Sequence, residues 1–153
     1  MRLYKSTRIC LEGKSEEFEK VGVYSHENEY NNSAVSRYYY SMFIRVSYIY
    51  KGVSGYTSVG LNSHQKVLNQ LKRWIEEIFA KKQYSDLEIG KKISELFIRL
   101  ELCCNYRNIA DYKEGELTQN NVNYLKKTLL LFNNLYEIIL EICGIIKKER
   151  DDM

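Results

Sequence analysis

The segment Arg107-Asn108-Ile109-Ala110-Asp111-Tyr112 gathers a cation, an acid and a phenol within six residues. An arginine stays charged at any accessible pH and offers a fork of N–H donors that fits phosphate or carboxylate oxygens. Asp111 lies four positions on, where a helix would bring it to the same face, so the plainest reading is an Arg107–Asp111 ion pair with Ala110 and Tyr112 packing. The other reading is a functional surface. There Asp111 is acidic enough to accept a proton but repels phosphate unless Arg107 pairs with it. Tyr112, with a reference pKa of about 10, can orient or donate a proton and is a poor base.

Three further positions bear on the same chemistry. His64 has a side chain that titrates near neutral pH and stands at a helix start after a glycine-rich stretch, where a solvated or capping role is the plain alternative. Arg37 precedes Tyr38, Tyr39 and Tyr40, a cation with aromatic neighbours of the kind that holds single-stranded RNA by phosphate contact and base stacking. Burial of those tyrosines in a core or interface is the competing reading. Asn108, beside Arg107, is counted with Arg37 and Tyr38 as RNA-binding.

Helices must position these residues. From Asn32 or Ser33, either of which could cap, Val35, Tyr38, Tyr39, Met42, Val46, Ile49 and Tyr50 recur at three- and four-residue steps up to Gly52. A loop is expected over residues 52–60, then a helix from about Ser63 to Ala80 with Val67, Leu71, Trp74, Ile75 and Ile78 as its stripe. Ser85-Asp86-Leu87-Glu88 has capping-box spacing and opens a helix running to about Tyr106. After a polar turn at Lys113 to Glu116, Thr118 caps a last helix whose stripe extends from Val122 to Ile146, followed by the charged tail Lys147 to Asp152. Residues 1–21 read as one or two helical pieces, and His26 to Asn32 as a polar connection. No segment sustains a period-two alternation. The expectation is an all-α antiparallel bundle of four to five helices in one domain over residues 1–153, with its core at about 30–147 and a helical extension at 1–29.

Composition removes other classes. The 153 residues suit one core, and the absence of proline leaves long helices unbroken. A net charge of +3 is too balanced for a protein that grips duplex nucleic acid by charge alone, so any nucleic-acid contact must be local. The four cysteines, Cys10, Cys103, Cys104 and Cys143, form no C-x-x-C pair; with no secretory signal they read as free thiols in the cytoplasm. With two histidines and no such pair, no zinc set is expected. Phosphate-cradling glycine motifs are missing, so no cofactor is expected. Asn133, Asn134, Glu137 and Glu141 interrupt the apolar stretch Leu129 to Ile146, which argues against a membrane span.

Three features fall in a telling order: Ser36-Arg37-Tyr38-Tyr39-Tyr40-Ser41-Met42-Phe43, Ser63-His64, and Arg107 to Tyr112. Together they resemble the HEPN superfamily, in the subgroup with an N-R-x-Y-Y-A-M-F-like helix and an R-x-x-A-D-Y segment, over about residues 30–145. The resemblance implies a bundle of four or five helices that forms a homodimer, with the arginine segments of two subunits facing across a cleft. It also implies either a metal-independent ribonuclease or toxin of antiviral defence acting on RNA, often beside a nucleotidyltransferase or other defence-system partner, or a noncatalytic homodimeric module that binds a protein partner within a defence or CRISPR-type assembly.

For the nuclease the implied catalytic set is Arg107, Asp111, Tyr112 and His64. The family motif carries a histidine shortly after its arginine; here none follows Arg107, and Tyr112 stands five residues on. The active site is degenerate in that respect, and His64 is the residue that can enter the cleft and replace the missing base. A third reading makes Tyr112 the target of nucleotide modification by a nucleotidyltransferase partner.

Overall fold

The computed structural model describes residues 5–55, 64–113 and 115–152. Among them the chain is all helical: α1 (Lys5–Glu27), α2 (Asn31–Ser54), α3 (His64–Ala80), α4 (Leu87–Tyr112), α5 (Gln119–Ile142) and the seven-residue α6 (Ile145–Asp151). The expected helical bundle is therefore present, with five long helices and one short one.

Helix α1 is a single element rather than two pieces. It lies antiparallel along α2, where Ser15 Oγ donates to Ser41 O at 2.6 Å and His26 Nδ1 lies 3.1 Å from the Tyr38 hydroxyl. Gly22 permits that approach, because a Cβ there would sit 2.7 Å from the Tyr38 ring.

The α2 boundaries differ from expectation at both ends. The helix starts at Asn31, and its N-cap Tyr30 makes no side-chain capping bond. Asn31 and Asn32 instead reach across the molecule: Asn31 Nδ2 donates to Leu117 O at 2.9 Å, and Leu117 N donates to Asn32 Oδ1 at 3.1 Å. Those amides pin the α4–α5 connection, a tertiary use that outweighs local capping. At the other end α2 runs through Gly52 to Ser54 and closes at Gly55, whose φ of 77° suits a residue without a Cβ. The rest of the expected 52–60 loop, and Ser63, lie outside the described residues.

Asp86, not Ser85, caps α4, its Oδ1 accepting from Glu88 N at 3.1 Å and Ile89 N at 3.2 Å; a carboxylate is the stronger acceptor for these N–H groups. The helix continues six residues past Tyr106 to Tyr112, so the whole Arg107 segment is helical. Thr118 caps α5 as expected, in a reciprocal box with Asn121. The last stripe does not continue unbroken to Ile146: Gly144, at φ 71°, turns the chain into α6.

Contacts fix the directions. Arg99 Nε donates to Thr128 Oγ1 at 3.0 Å and Tyr106 meets the Tyr124 ring, so α4 and α5 are antiparallel. His64 stacks on Phe43 while Trp74 stacks on Tyr50, so α3 runs in the same direction as α2. The core between them is continuous, with Val35, Met42, Leu71, Leu96, Leu100, Leu125 and Leu129 essentially inaccessible. Cys103 and Cys104 are buried free thiols. No single helix among the described residues is long and apolar enough to cross a membrane.

Candidate functional site

The site is built where α2, α3 and α4 converge. Arg107 sits near the end of α4 and faces inward, 6% exposed. Its guanidinium lies against the rings of Tyr39, Tyr40 and Tyr112, with Cζ 5.2, 5.5 and 5.7 Å from their centroids. Nη2 lies 3.1 Å from His64 Nδ1, and Nη1 donates to the Tyr40 hydroxyl over a long 3.4 Å. The i, i+4 partner Asp111 comes no nearer than 4.0 Å to Nη1. Nε is buried without a hydrogen-bond partner among the described residues; the neighbouring Cys104 thiol is a weak acceptor. A permanent cation with five N–H donors is thus met by neutral groups and one distant carboxylate.

His64 opens α3 and is the hinge of the arrangement. Its ring is parallel to Phe43, with 3.8 Å between centroids and a 6° tilt, and Nδ1 also lies 2.9 Å from the Tyr39 hydroxyl. Because a guanidinium only donates, Nδ1 must accept, and the proton of the neutral ring is on Nε2. Burial, with the Arg107 cation beside it, pushes the imidazole down to about 4, so it is uncharged at neutral pH. Burial also lifts the Tyr39 hydroxyl far above its ordinary value, so it remains a donor.

Of the seven residues singled out in the sequence, this cluster gathers Arg107, His64, Asp111 and Tyr112. Tyr112 is 72% exposed and forms the outer wall. Arg37 stands apart from the Arg107 guanidinium yet lines a small cleft of about 160 Å³ with Asp111, between the start of α2 and the end of α4. Its guanidinium rests 5.5 Å from the Phe18 centroid. Asn108 is half-buried and joins none of these contacts.

Tyr38 is not on this surface. It is 1% exposed, packed against Gly22 and bonded to His26, with Lys126 Nζ 5.3 Å from its ring centroid, so it offers no free face to a base. Its assignment to RNA binding is corrected to core packing. Tyr39 and Tyr40, expected beside Arg37, instead line the His64–Arg107 contact, and Phe43 joins them as a residue the sequence did not single out for the site. Their signal was present in the i, i+4 spacing of Tyr39 and Phe43, which puts two rings on one face of α2.

Compared with protein-family models, with curated proteins and with solved structures, the chain finds no match.

Proposed function

We propose that the chain is a HEPN-like, RNA-directed protein in which Arg107 holds a phosphate of a single-stranded RNA. The observation that carries this reading is the under-paired Arg107, whose buried Nε has no acceptor better than the neighbouring Cys104 thiol and whose nearest carboxylate is 4.0 Å away. Such a group favours the arrival of an anion, and a phosphate oxygen supplies the charge-assisted hydrogen bonds that the tyrosines and His64 do not. Arg37 in the adjoining cleft gives the backbone a second cation, and Tyr112 offers an exposed ring for a base.

The same groups suit metal-independent cleavage. The ribose 2′-hydroxyl attacks the neighbouring phosphorus; a P–O bond forms, the bond to the 5′-oxygen breaks, and a cyclic phosphate and a 5′-hydroxyl result. One group must take the 2′-hydroxyl proton and another must protonate the leaving oxygen. When phosphate engages Arg107, His64 Nδ1 keeps only the Tyr39 hydroxyl, and the smaller of the two causes that depress it, the Arg107 cation, is offset while burial remains; His64 becomes the base once the 2′-hydroxyl displaces Tyr39. Tyr112 gives its hydroxyl proton to the leaving 5′-oxygen, and Asp111 orients the substrate. Two copies facing through their Arg107 segments would complete the cleft, a reading supported by the large exposure of Tyr112.

A noncatalytic form of this function has one observation in its favour: in the free protein His64 Nδ1 is already engaged by Arg107 and Tyr39. Incubating labelled single-stranded RNA with the protein in chelator decides between them. Cleavage that disappears in Arg107→Ala supports the nuclease. Intact RNA that is nevertheless bound through Arg107 supports the noncatalytic form. RNA neither bound nor cut removes the proposal.

A further inference from the structure

A second cleft, of about 270 Å³, opens between α1, α2 and α5, and its floor is another arginine. Arg45 is 8% exposed, its Cζ 4.5 Å from the Phe132 centroid and 5.0 Å from that of Tyr136. Rings on the guanidinium leave its N–H edge as the polar face. Nε donates to Ser41 O over a long 3.4 Å, while Nη1 and Nη2 make no hydrogen bond or ion pair with a described residue. Neither Nη is sealed from solvent, and Arg45 lines the cleft, so this edge faces the opening.

The walls carry the opposite charge. Glu12, Glu16, Glu19 and Glu137 all line the cleft. Glu12 is engaged by Arg8 Nη1 and by the Tyr136 hydroxyl, each at 3.0 Å. Glu137 meets Arg8 at 3.6 Å, and Glu19 accepts only a 3.3 Å bond from Asn133. Glu16 is exposed and makes no such contact among the described residues.

A ligand here needs a planar two-oxygen acceptor for the Arg45 fork and a cation for the rim. A phosphate dianion would meet four carboxylates, whereas a carboxylate carrying its own ammonium brings no net charge. The volume is near the lower end of ligand pockets, which suits a molecule of a few to a dozen heavy atoms. We propose that this cleft binds a free α-amino acid, its carboxylate on Arg45 and its ammonium on Glu16 and Glu19, with a basic side chain favoured by Glu137.

Titration of the 153-residue chain by calorimetry tests this, with L-lysine, cadaverine (the same molecule without the carboxylate) and acetate. Saturable binding of L-lysine is expected, at least about tenfold weaker for cadaverine and acetate, and lost by about tenfold or more in Arg45→Gln and in the rim variant Glu16→Gln/Glu19→Gln; tenfold corresponds to about 1.4 kcal/mol. No saturable L-lysine binding, equal binding of cadaverine, or unchanged affinity in the rim variant would each overturn it. The rim variant keeps the test decisive if Arg45→Gln does not fold, since Glu16 is exposed.

Discussion

Arg107 Nη2 and His64 Nδ1 stand 3.1 Å apart, and this contact decides the state of both side chains. The guanidinium has no lone pair to give, so the imidazole accepts and keeps its proton on Nε2. In ¹⁵N-resolved NMR of the ring, His64 should be the Nε2–H tautomer at neutral pH and should titrate near 4. A titration near the ordinary histidine value, about 6.5, or an Nδ1–H tautomer, would contradict the contact.

The same depression predicts a pH dependence of stability. Between the unfolded value of about 6.5 and the folded value of about 4, the unfolded chain binds a proton at this position that the folded chain refuses. The His64 contribution to stability is therefore fully present above about pH 6.5, falls as the pH drops towards 4, and is flat below that. Urea midpoints of the wild type and His64→Asn across this window should converge at the acid end. Parallel curves would contradict the assignment.

Arg107 should be held against the interest of the fold. Replacing a buried ion pair with apolar side chains of similar volume is often neutral or stabilising by about 1–4 kcal/mol, and the same desolvation cost falls on a buried cation with only a distant carboxylate. Arg107→Met is expected to unfold at the same or higher urea concentration than wild type, and to raise the His64 titration in part, because burial, the larger cause of its depression, remains while the cation is gone. A loss of more than about 3 kcal/mol would mark Arg107 as one half of a structural ion pair instead.

Gly22 and Tyr38 supply the opposite pattern. Gly22→Ala places a methyl 2.7 Å from the Tyr38 ring and should cost about 1–3 kcal/mol by overpacking. It should leave RNA affinity unchanged once the protein is folded, because neither residue touches the Arg107 cluster. Thermal unfolding and fluorescence anisotropy with the same RNA separate the two effects.

Much of this architecture was legible in the chain. The three- and four-residue steps of Val35, Met42, Val46 and Ile49, and the Thr118 cap, are local signals, and local physics wrote those helices. Asn32 is not the cap its position suggests because its partners, Leu117 and Gly115, lie more than eighty positions away. Ser85 lost the α4 cap to the carboxylate beside it. The site was legible in its chemistry but not in its assembly: Arg107, Asp111 and Tyr112 are neighbours in sequence, while His64 joins them because α3 starts against Tyr39 and Phe43. Tyr38, Tyr39 and Tyr40 looked alike as a run, yet successive residues on a helix point about 100° apart, so Tyr38 packs against Gly22 while the equally buried Tyr39 and the half-buried Tyr40 wall the arginine.

The most direct test of Arg107 as the phosphate-binding group is NMR observation of its Nε–H and of the His64 ring during titration with a single-stranded RNA bearing 2′-O-methyl groups, which cannot be cut. The Arg107 Nε–H resonance should move with saturation and the His64 titration should rise from about 4, with affinity about tenfold or more weaker in Arg107→Met. RNA that binds while both signals stay fixed, or that binds Arg107→Met equally well, would contradict it.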